Sequence, residues 1–398
     1  MKDQGVLIVG GGLAAQRCAE TLRRRGYDGP VRMLCAEARP PYDRPPLSKE
    51  LLAGDATEEA VAYRPTWWYE EKQVELLLGG RAESLDPASR SVRLDSGAEL
   101  GFDELLVATG GRARKLPFLA SFENVHSLRT LEDARRLRAE LRPGARLAVV
   151  GAGFIGQEVA ATARKLGAEV TMIEALETPL APILGKRLGR WFAELHSDEG
   201  VRVLTGASLE SGVGRNGRLE RLLLADGRTI ACDVAVVGVG TVPATGWLRG
   251  SGLDDTGVHT DAAGRTAIPG VFAAGDASIP FDPRFGVHAR TEHWDAAAWQ
   301  GTATARAMLG ERPGTPPLPS FWSDQYGLRI QYVGHARHAD AVKVEGDPDG
   351  RDFEAVFTRD GVPVAGLAVG RPRAIPVLRK LIEAGHRPAQ TMAKEAAA

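Results

Sequence analysis

Two glycine-rich stretches in this chain stand where main-chain amides could meet a phosphate. In Leu147 to Glu174, LAVVGAGFIGQEVAATARKLGAEVTMIE, Gly151, Gly153 and Gly156 form a complete G-x-G-x-x-G between an apolar run and an Ala-rich helical pattern. In Val6 to Glu37 the same design recurs, with Gly10 and Gly12 in the first two positions and Ala15 in the third. Such a turn brings the backbone close to a pyrophosphate, whose charge is met by the amides and positive dipole end of the following helix. The third position must be small so that helix and strand can pack. Each stretch continues into a second apolar run, Val31 to Cys35 and Val170 to Ile173, and ends in an acid, Glu37 and Glu174, spaced to accept the hydroxyls of an adenosine ribose. Leu13 and Ala14 beside the first turn, and Phe154 and Ile155 beside the second, belong to the same candidate surfaces. Glu174 is followed by Ala175 rather than an arginine, which favours NAD over NADP, because a carboxylate repels a 2′-phosphate.

Two clamps imply two dinucleotides. If one holds NADH, the other needs a tightly bound redox partner, and FAD is the dinucleotide that accepts a hydride. Further close backbone approaches are expected at Ala108, Thr109 and Gly110, which end the run ELLVATGG, and at Gly238 and Gly240, in and just after the run Val234 to Val239. Asp276 in GVFAAGDA either accepts hydrogen bonds from the sugar-like chain of a flavin or caps a helix that follows. Lys49 falls just after Pro45 and Pro46, where Ser48 reads as the N-cap of a helix. A lysine gains nothing from that end of a helix dipole, so its place hints at another purpose. No cysteine pair follows the first clamp, so electrons would leave the flavin directly.

The elements that must position these residues follow from the wider pattern. With 398 residues and 43% hydrophobic content the chain can form two or three domains. Lys plus Arg number 50 against 51 for Asp plus Glu, a net charge of -1, which gives no reason to expect a nucleic-acid partner. Cys18, Cys35 and Cys232 stand far apart, without metal or disulfide spacing, and suit a reducing cytosol. No signal peptide or membrane span is read, so a cytoplasmic location is expected. His288, His293, His335 and His338 lack metal-ligand spacing. Val74 to Val107 reads as a small antiparallel sheet, Thr205 to Cys232 as strands turning at Asn216-Gly217 and Asp226-Gly227, and Thr291 to Leu309 as a helix. Pro313 to Pro319, with four prolines, reads as a linker to a last unit with strands around Phe353 to Phe357 and Val362 to Val369, a basic helix Ile375 to Ala384 and a frayed KEAAA end.

The ordered strings VGGGLAA, PYDRPPLSKELL, LLVATGG, LRTLEDA, VVGAGFIGQEVA, GVFAAGDA, EHWDAAAWQG and FWSDQYGLRIQYVG closely resemble the FAD-dependent, NADH-utilising ferredoxin reductases that serve Rieske dioxygenases and bacterial haem monooxygenases. The resemblance runs from residue 6 to about residue 370. It implies an α/β protein with two Rossmann-like dinucleotide-binding domains of the glutathione reductase type and a C-terminal α+β domain. The expected boundaries are 1–112 with 238–316 for FAD, 113–237 for NAD and 317–398 for the interface domain. By the same resemblance Lys49 lies near the flavin N5 and pairs with Glu158, bridging the two nucleotide domains. Glu37, Arg44, Ala82, Arg129, Asp276 and Trp294 hold FAD, and Trp322 borders the flavin where the ferredoxin docks. The implied partner is an acidic 2Fe-2S ferredoxin on a basic face drawing on Arg290, Arg329, Arg371, Arg373, Arg379 and Lys380, with the reductase a monomer or homodimer. One departure stands out: Thr178 and Pro179 occupy a place where the family commonly has an arginine. Competing readings are a reductase for rubredoxin or a nitrite reductase subunit, a flavoprotein resembling apoptosis-inducing factor with a binding role, an NADH oxidase, and a pure nucleotide-binding module.

Overall fold

The computed structural model describes residues 4–284, 286–337 and 339–385, so that His338 and the KEAAA end lie outside the described residues. These residues form two compact units. The first comprises the chain up to Asp43, Glu59–Arg112 and Thr241–Pro319; the second comprises Arg44–Glu58, Ala113–Gly240 and the described residues from Ser320 on.

In the first unit a parallel sheet runs in the order Val271–Ala273, Glu104–Val107, Val6–Val9, Val31–Cys35, Val74–Leu78. All four residues of Val6–Val9 are buried, as expected for a parallel strand covered on both faces. Successive side chains go to opposite sides. Val6 and Ile8 pack with Ala15, Cys18 and Leu22 of the helix Leu13–Arg24, whereas Leu7 and Val9 pack with Leu85, Val92 and Leu94. Those last three belong to the antiparallel strands Ala82–Asp86, Ser91–Leu94 and Glu99–Gly101. The reading of Val74 to Val107 as one antiparallel sheet is corrected here. Its middle is antiparallel, but Val74–Leu78 pairs in parallel with Val31–Cys35, and Glu104–Val107 pairs in parallel with Val6–Val9. The helix Trp294–Met308 lies against Leu13–Arg24, and Gly301 permits the contact, since a Cβ there would stand 2.2 Å from the Ala14 carbonyl oxygen.

Glu104 opens its strand half-buried, and burial pushes its carboxyl up to about 7 from 4.5, opposed by Arg90 and Arg265. The folded state therefore holds a proton that the unfolded chain has released. This group's contribution to stability falls as pH rises from 4.5 to about 7 and stays low above that. Glu104→Gln is expected to raise the melting temperature at about pH 8 and leave it unchanged at about pH 4, as thermal unfolding at the two pH values would report.

The second unit repeats the plan. Its parallel sheet runs Arg202–Leu204, Glu169–Ile173, Arg146–Val150, Val234–Val237, Val125–His126. The antiparallel strands Leu209–Arg215, Arg218–Leu224 and Thr229–Ala231 pack on one face through Leu219, Leu222 and Leu224. Asn216 and Gly217 both have positive φ, the conformation a tight right-twisted hairpin requires. The same unit contains an antiparallel sheet ordered Ser320–Gln325, Leu328–Gly334, Val362–Val369, Asp352–Arg359, Ala341–Asp347 and the helix Ala374–Gly385. Phe192 and Leu188 of the helix Ala181–Asp198 share a core with Ile330, Phe353 and Leu367 of that sheet. Among the described residues no helix is long and apolar enough to cross a membrane.

Candidate functional site

The first clamp sits where the Val6–Val9 and Glu104–Val107 strands end side by side, the point at which the chain reverses its direction of sheet growth. Gly10 has φ +135°, and a Cβ there would lie 2.0 Å from the Ala108 carbonyl oxygen, so only glycine fits. Gly12 caps the helix Leu13–Arg24 with no side-chain cap and no acid in the first turn, and nothing lies within 4 Å of the place its Cβ would take. The space beside Gly12 at the start of that helix, next to Leu13, is thus open. The Thr109 hydroxyl is buried with no hydrogen-bond partner among the described residues, and Gly110 follows it with φ +68°. An orphaned donor and an open cradle at a helix start fit a dinucleotide phosphate.

Around this cradle the Glu37 carboxylate accepts the Tyr42 hydroxyl at 2.5 Å. Asp276 lies in the 3-10 turn Gly275–Ala277, and a Cβ on Gly111 would stand 3.6 Å from its carboxylate. The turn leads into the strand Ser278–Asp282, so no helix follows for Asp276 to cap. Trp294 is half-buried, with Nε1 donating to Asp43 Oδ1 at 2.9 Å and the Arg17 guanidinium 5.9 Å from the ring centroid. Ala82 begins the strand Ala82–Asp86. Of the residues assigned to FAD, Arg44, Lys49, Arg129 and Trp322 belong to the second unit and the others to the first.

The second clamp is built by the same sterics. A Cβ on Gly151 (φ +97°) would lie 2.5 Å from the Gly238 carbonyl oxygen, and one on Gly156 only 2.2 Å from that of Gly151. Gly153 caps the helix Phe154–Lys165 with nothing within 4 Å of its Cβ position, and Gly240 is likewise open. Glu174 is fixed at the rim: Oε2 accepts from the Ala152 amide at 2.8 Å and Oε1 from the Leu176 amide at 2.9 Å. Ile155 is exposed, whereas the Phe154 ring turns into an aromatic cluster with Phe321 (4.6 Å) and Phe192 (6.1 Å). What Phe154 offers the clamp is its amide. Gly153→Val should still fold, since its φ of −71° suits any residue, at a cost of about 1 kcal/mol for the poorer helix cap. The new side chain would occupy the phosphate space and raise KM for NADH about tenfold or more, which steady-state kinetics would read.

Lys49 reaches its position differently from the sequence expectation. Pro45–Ser48 form a 3-10 turn, and Lys49 itself, not Ser48, caps the short helix Glu50–Ala53. Proline has a φ suited to a first helical turn and no amide to leave unpaired there, so the two prolines start a turn. Freed from capping, the Ser48 hydroxyl donates to Glu158 Oε2 at 2.5 Å. Lys49 Nζ meets the same oxygen at 2.7 Å, and the Ser323 hydroxyl donates to Oε1 at 2.7 Å. Glu158 is 5% exposed, so its charge depends on these donors. Thr162, one turn along the helix, donates to the Ser48 carbonyl oxygen at 2.7 Å. Sequence reasoning missed Ser48, Thr162 and Ser323 as holders of the pair. Ser323 lies within the string FWSDQY, but a strand sequence alone does not say what a buried serine faces.

Arg44 donates to the Arg129 carbonyl oxygen, and the Arg129 amide donates to Asp133 Oδ2 at 3.0 Å. Trp322 is covered by the Arg329 guanidinium, 5.2 Å from the ring centroid. Within the expected basic set, Arg290 pairs with Glu292, Arg329 with Asp324 and Arg371 with Asp352, while Arg373 and Lys380 are exposed. Cys18, Cys35 and Cys232 are free and buried, and burial pushes their thiols up, Cys35 and Cys232 to about 12. None is an effective nucleophile.

Two phosphate clamps on two parallel sheets, with a buried lysine–glutamate pair and no reactive dithiol, define a two-dinucleotide oxidoreductase. Residues 4–301 match the family model described as pyridine nucleotide-disulphide oxidoreductase, and residues 320–398 match the one described as reductase C-terminal. The chain belongs to the pyridine nucleotide-disulphide oxidoreductase family. It is 39% identical to the anthranilate 1,2-dioxygenase system ferredoxin–NAD(+) reductase component of Burkholderia cepacia, over 98% of this chain and 96% of the relative. It is 37% identical to the biphenyl dioxygenase system ferredoxin–NAD(+) reductase component of Paraburkholderia xenovorans (strain LB400), over 95% and 92%. Among solved structures it is similar to the covalent putidaredoxin reductase–putidaredoxin complex, with a TM-score of 0.93 and 31% identity over 96% of this chain and 93% of that one.

Proposed function

We propose that this chain is an FAD-dependent NADH:ferredoxin oxidoreductase that passes electrons from NADH to a 2Fe-2S ferredoxin serving a Rieske dioxygenase or a haem monooxygenase. The observation that carries the reading is the buried Lys49–Glu158 pair, 2.7 Å apart and just beyond the last glycine of the second clamp, in a chain whose thiols are all buried. Residues 1–112 with 238–316 would bind FAD, 113–237 NADH, and 317–398 would form the interface domain.

Gly10, Gly12, Leu13, Ala14, Ala15, Glu37, Arg44, Ala82, Ala108, Thr109, Gly110, Arg129, Asp276, Trp294 and Trp322 would hold FAD. When bound, the flavin takes two electrons from NADH and releases them one at a time. The amides from Gly151 to Gly156 bind the NADH pyrophosphate, and the fixed Glu174 carboxylate accepts its ribose hydroxyls and repels a 2′-phosphate. Positioning of the two reacting rings is the main contribution of the chain. The Lys49 ammonium supplies a fixed positive charge where negative charge accumulates, and Glu158 keeps that ammonium in place.

An acidic ferredoxin would meet the C-terminal face. Because Arg290, Arg329 and Arg371 already pair with carboxylates, the charge available to it is concentrated on Arg373 and Lys380. Encounter through such charges weakens as salt rises. The reading also has the protein cytoplasmic, as a monomer or homodimer.

Anaerobic titration of the purified protein with NADH and separately NADPH, followed by a 2Fe-2S ferredoxin, tests the reading. Rapid bleaching of the flavin by NADH, a weak response to NADPH and reoxidation coupled to ferredoxin reduction are expected. Bleaching without transfer to any ferredoxin would point to rubredoxin or another acceptor. A protein that takes up no flavin would sink the proposal.

A further inference from the structure

The hydrogen bonds behind Glu158 do not end at Ser323. Ser323 Oγ accepts from Gln325 Nε2 at 3.0 Å, and the side-chain oxygen Oε1 of Gln325 faces His196 Nε2 at 3.1 Å. Gln157 Oε1 faces the same nitrogen at 3.4 Å, and the Tyr326 hydroxyl meets His196 Nδ1 at 2.7 Å. Exposure is 0–1% for Gln157, His196, Ser323 and Gln325. The two helices Phe154–Lys165 and Ala181–Asp198, the strand Ser320–Gln325 and the turn residue Tyr326 that follows it supply the line.

Its direction is dictated by the acceptors. Gln157 donates from Nε2 to the Ala152 carbonyl oxygen, which fixes its Oε1 toward His196. Two amide oxygens therefore face Nε2, so Nε2 carries the proton, and Nδ1 of a neutral ring is an acceptor to which Tyr326 must donate. Burial pushes the imidazole down to about 4, so the ring stays neutral near neutral pH. Gln325, accepting with its oxygen, gives an amide hydrogen to Ser323, whose own hydrogen goes to Glu158. An ionised Glu158 has no proton to return, so the line cannot reverse. Each donor polarises the next, and all of them point at the carboxylate.

We infer that His196 is a positioning residue for electron transfer from NADH: it sets the direction of the line Tyr326, His196, Gln325, Ser323 that locks the Glu158 carboxylate and, through it, the Lys49 ammonium. The inference rests on the reading of Lys49 and Glu158 proposed above. A histidine that merely filled space would leave the rate of flavin reduction untouched.

His196→Phe keeps a ring and removes both nitrogens, whereas His196→Gln restores an N–H at the ε position. In anaerobic stopped-flow of the full-length holoprotein, H196F is expected to slow flavin reduction by NADH about five- to tenfold with KM within about twofold, and H196Q to recover to within about twofold of the parent. Ser323→Ala cuts the last link without touching the histidine and should give the same slowing, which serves if H196F does not fold. In a Glu158→Gln background H196F should add less than about twofold, because the charge that the line serves is gone. Independently of activity, nitrogen-15 histidine NMR of the holoprotein should show His196 as the neutral Nε2–H tautomer from about pH 8 to about pH 5. Parental rates in folded H196F and S323A, or an Nδ1–H tautomer, overturn the inference. A parent that NADH does not reduce defeats the functional reading instead, and the tautomer still decides whether the line runs as described.

Discussion

A Glu158→Ala protein is expected to melt roughly 6–15 °C lower than the parent and to reduce its flavin with NADH about 100-fold more slowly. The stability loss follows from what is left behind. Lys49 has a side-chain exposure of 11%, and the substitution leaves its ammonium with the Pro45 carbonyl oxygen at 3.1 Å as its acceptor among the described residues. Breaking a buried pair from one side costs about 3–5 kcal/mol, because the surviving charge stays desolvated. Ser323 loses its acceptor in the same step, and Ser48 is left with the Pro45 carbonyl oxygen at 3.4 Å. Glu158→Gln removes the same charge but keeps the shape and one acceptor oxygen for the ammonium, with one serine turned to accept from the new amide, so its melting temperature should fall by less than that of the alanine variant. Scanning calorimetry of the two variants beside anaerobic stopped-flow separates stability from rate. An alanine variant with parental flavin reduction would refute the assigned role of the pair.

The second large effect is expected at Gly10. An alanine there would place its Cβ 2.0 Å from the Ala108 carbonyl oxygen at φ +135°, a region closed to residues with a side chain. Strain of about 1–3 kcal/mol adds to overpacking of about 1–3 kcal/mol, enough to prevent folding of the first unit or to yield colourless protein. Gly12→Ala provides the contrast, since φ is −96° and no atom lies within 4 Å. That variant should fold, with a loss below about 1 kcal/mol, and show only weakened flavin retention. Circular dichroism and visible flavin absorbance distinguish the two results. Equal behaviour of the two variants would mean that the Gly10 constraint is not the one described.

These two glycines also show what the sequence discloses and why. Gly10, Gly151 and Gly156 are required by backbone contacts closer than any Cβ permits, so their spacing is a steric signature that reads directly. The parallel strands after them, buried on both faces, read as continuous apolar runs. Val74–Leu78 and Glu104–Val107 misled because pairing direction is set by strands far away in the chain, not by their own residues. Lys49 could be singled out from its odd position, but its partner was supplied by the family resemblance. Local sequence gave Ser48 a capping role that the proline-started turn removed. Phe154 follows the glycine that caps its helix, yet its ring serves the core it shares with Phe321, a preference that only the packed unit decides.

The burial of the three thiols gives each compact unit a built-in clock. Cys18 and Cys35 are 0% and 2% exposed in the first unit, and Cys232 is 1% exposed in the second. Alkylating reagents can reach them only when the chain around them opens, so the labelling rate at each site measures the free energy of that opening. The same burial keeps these thiols protonated and away from solvent, the two conditions that slow oxidation of a cysteine. Mass spectrometry of timed alkylation would resolve which unit loosens first and whether nucleotide binding closes one, both or neither.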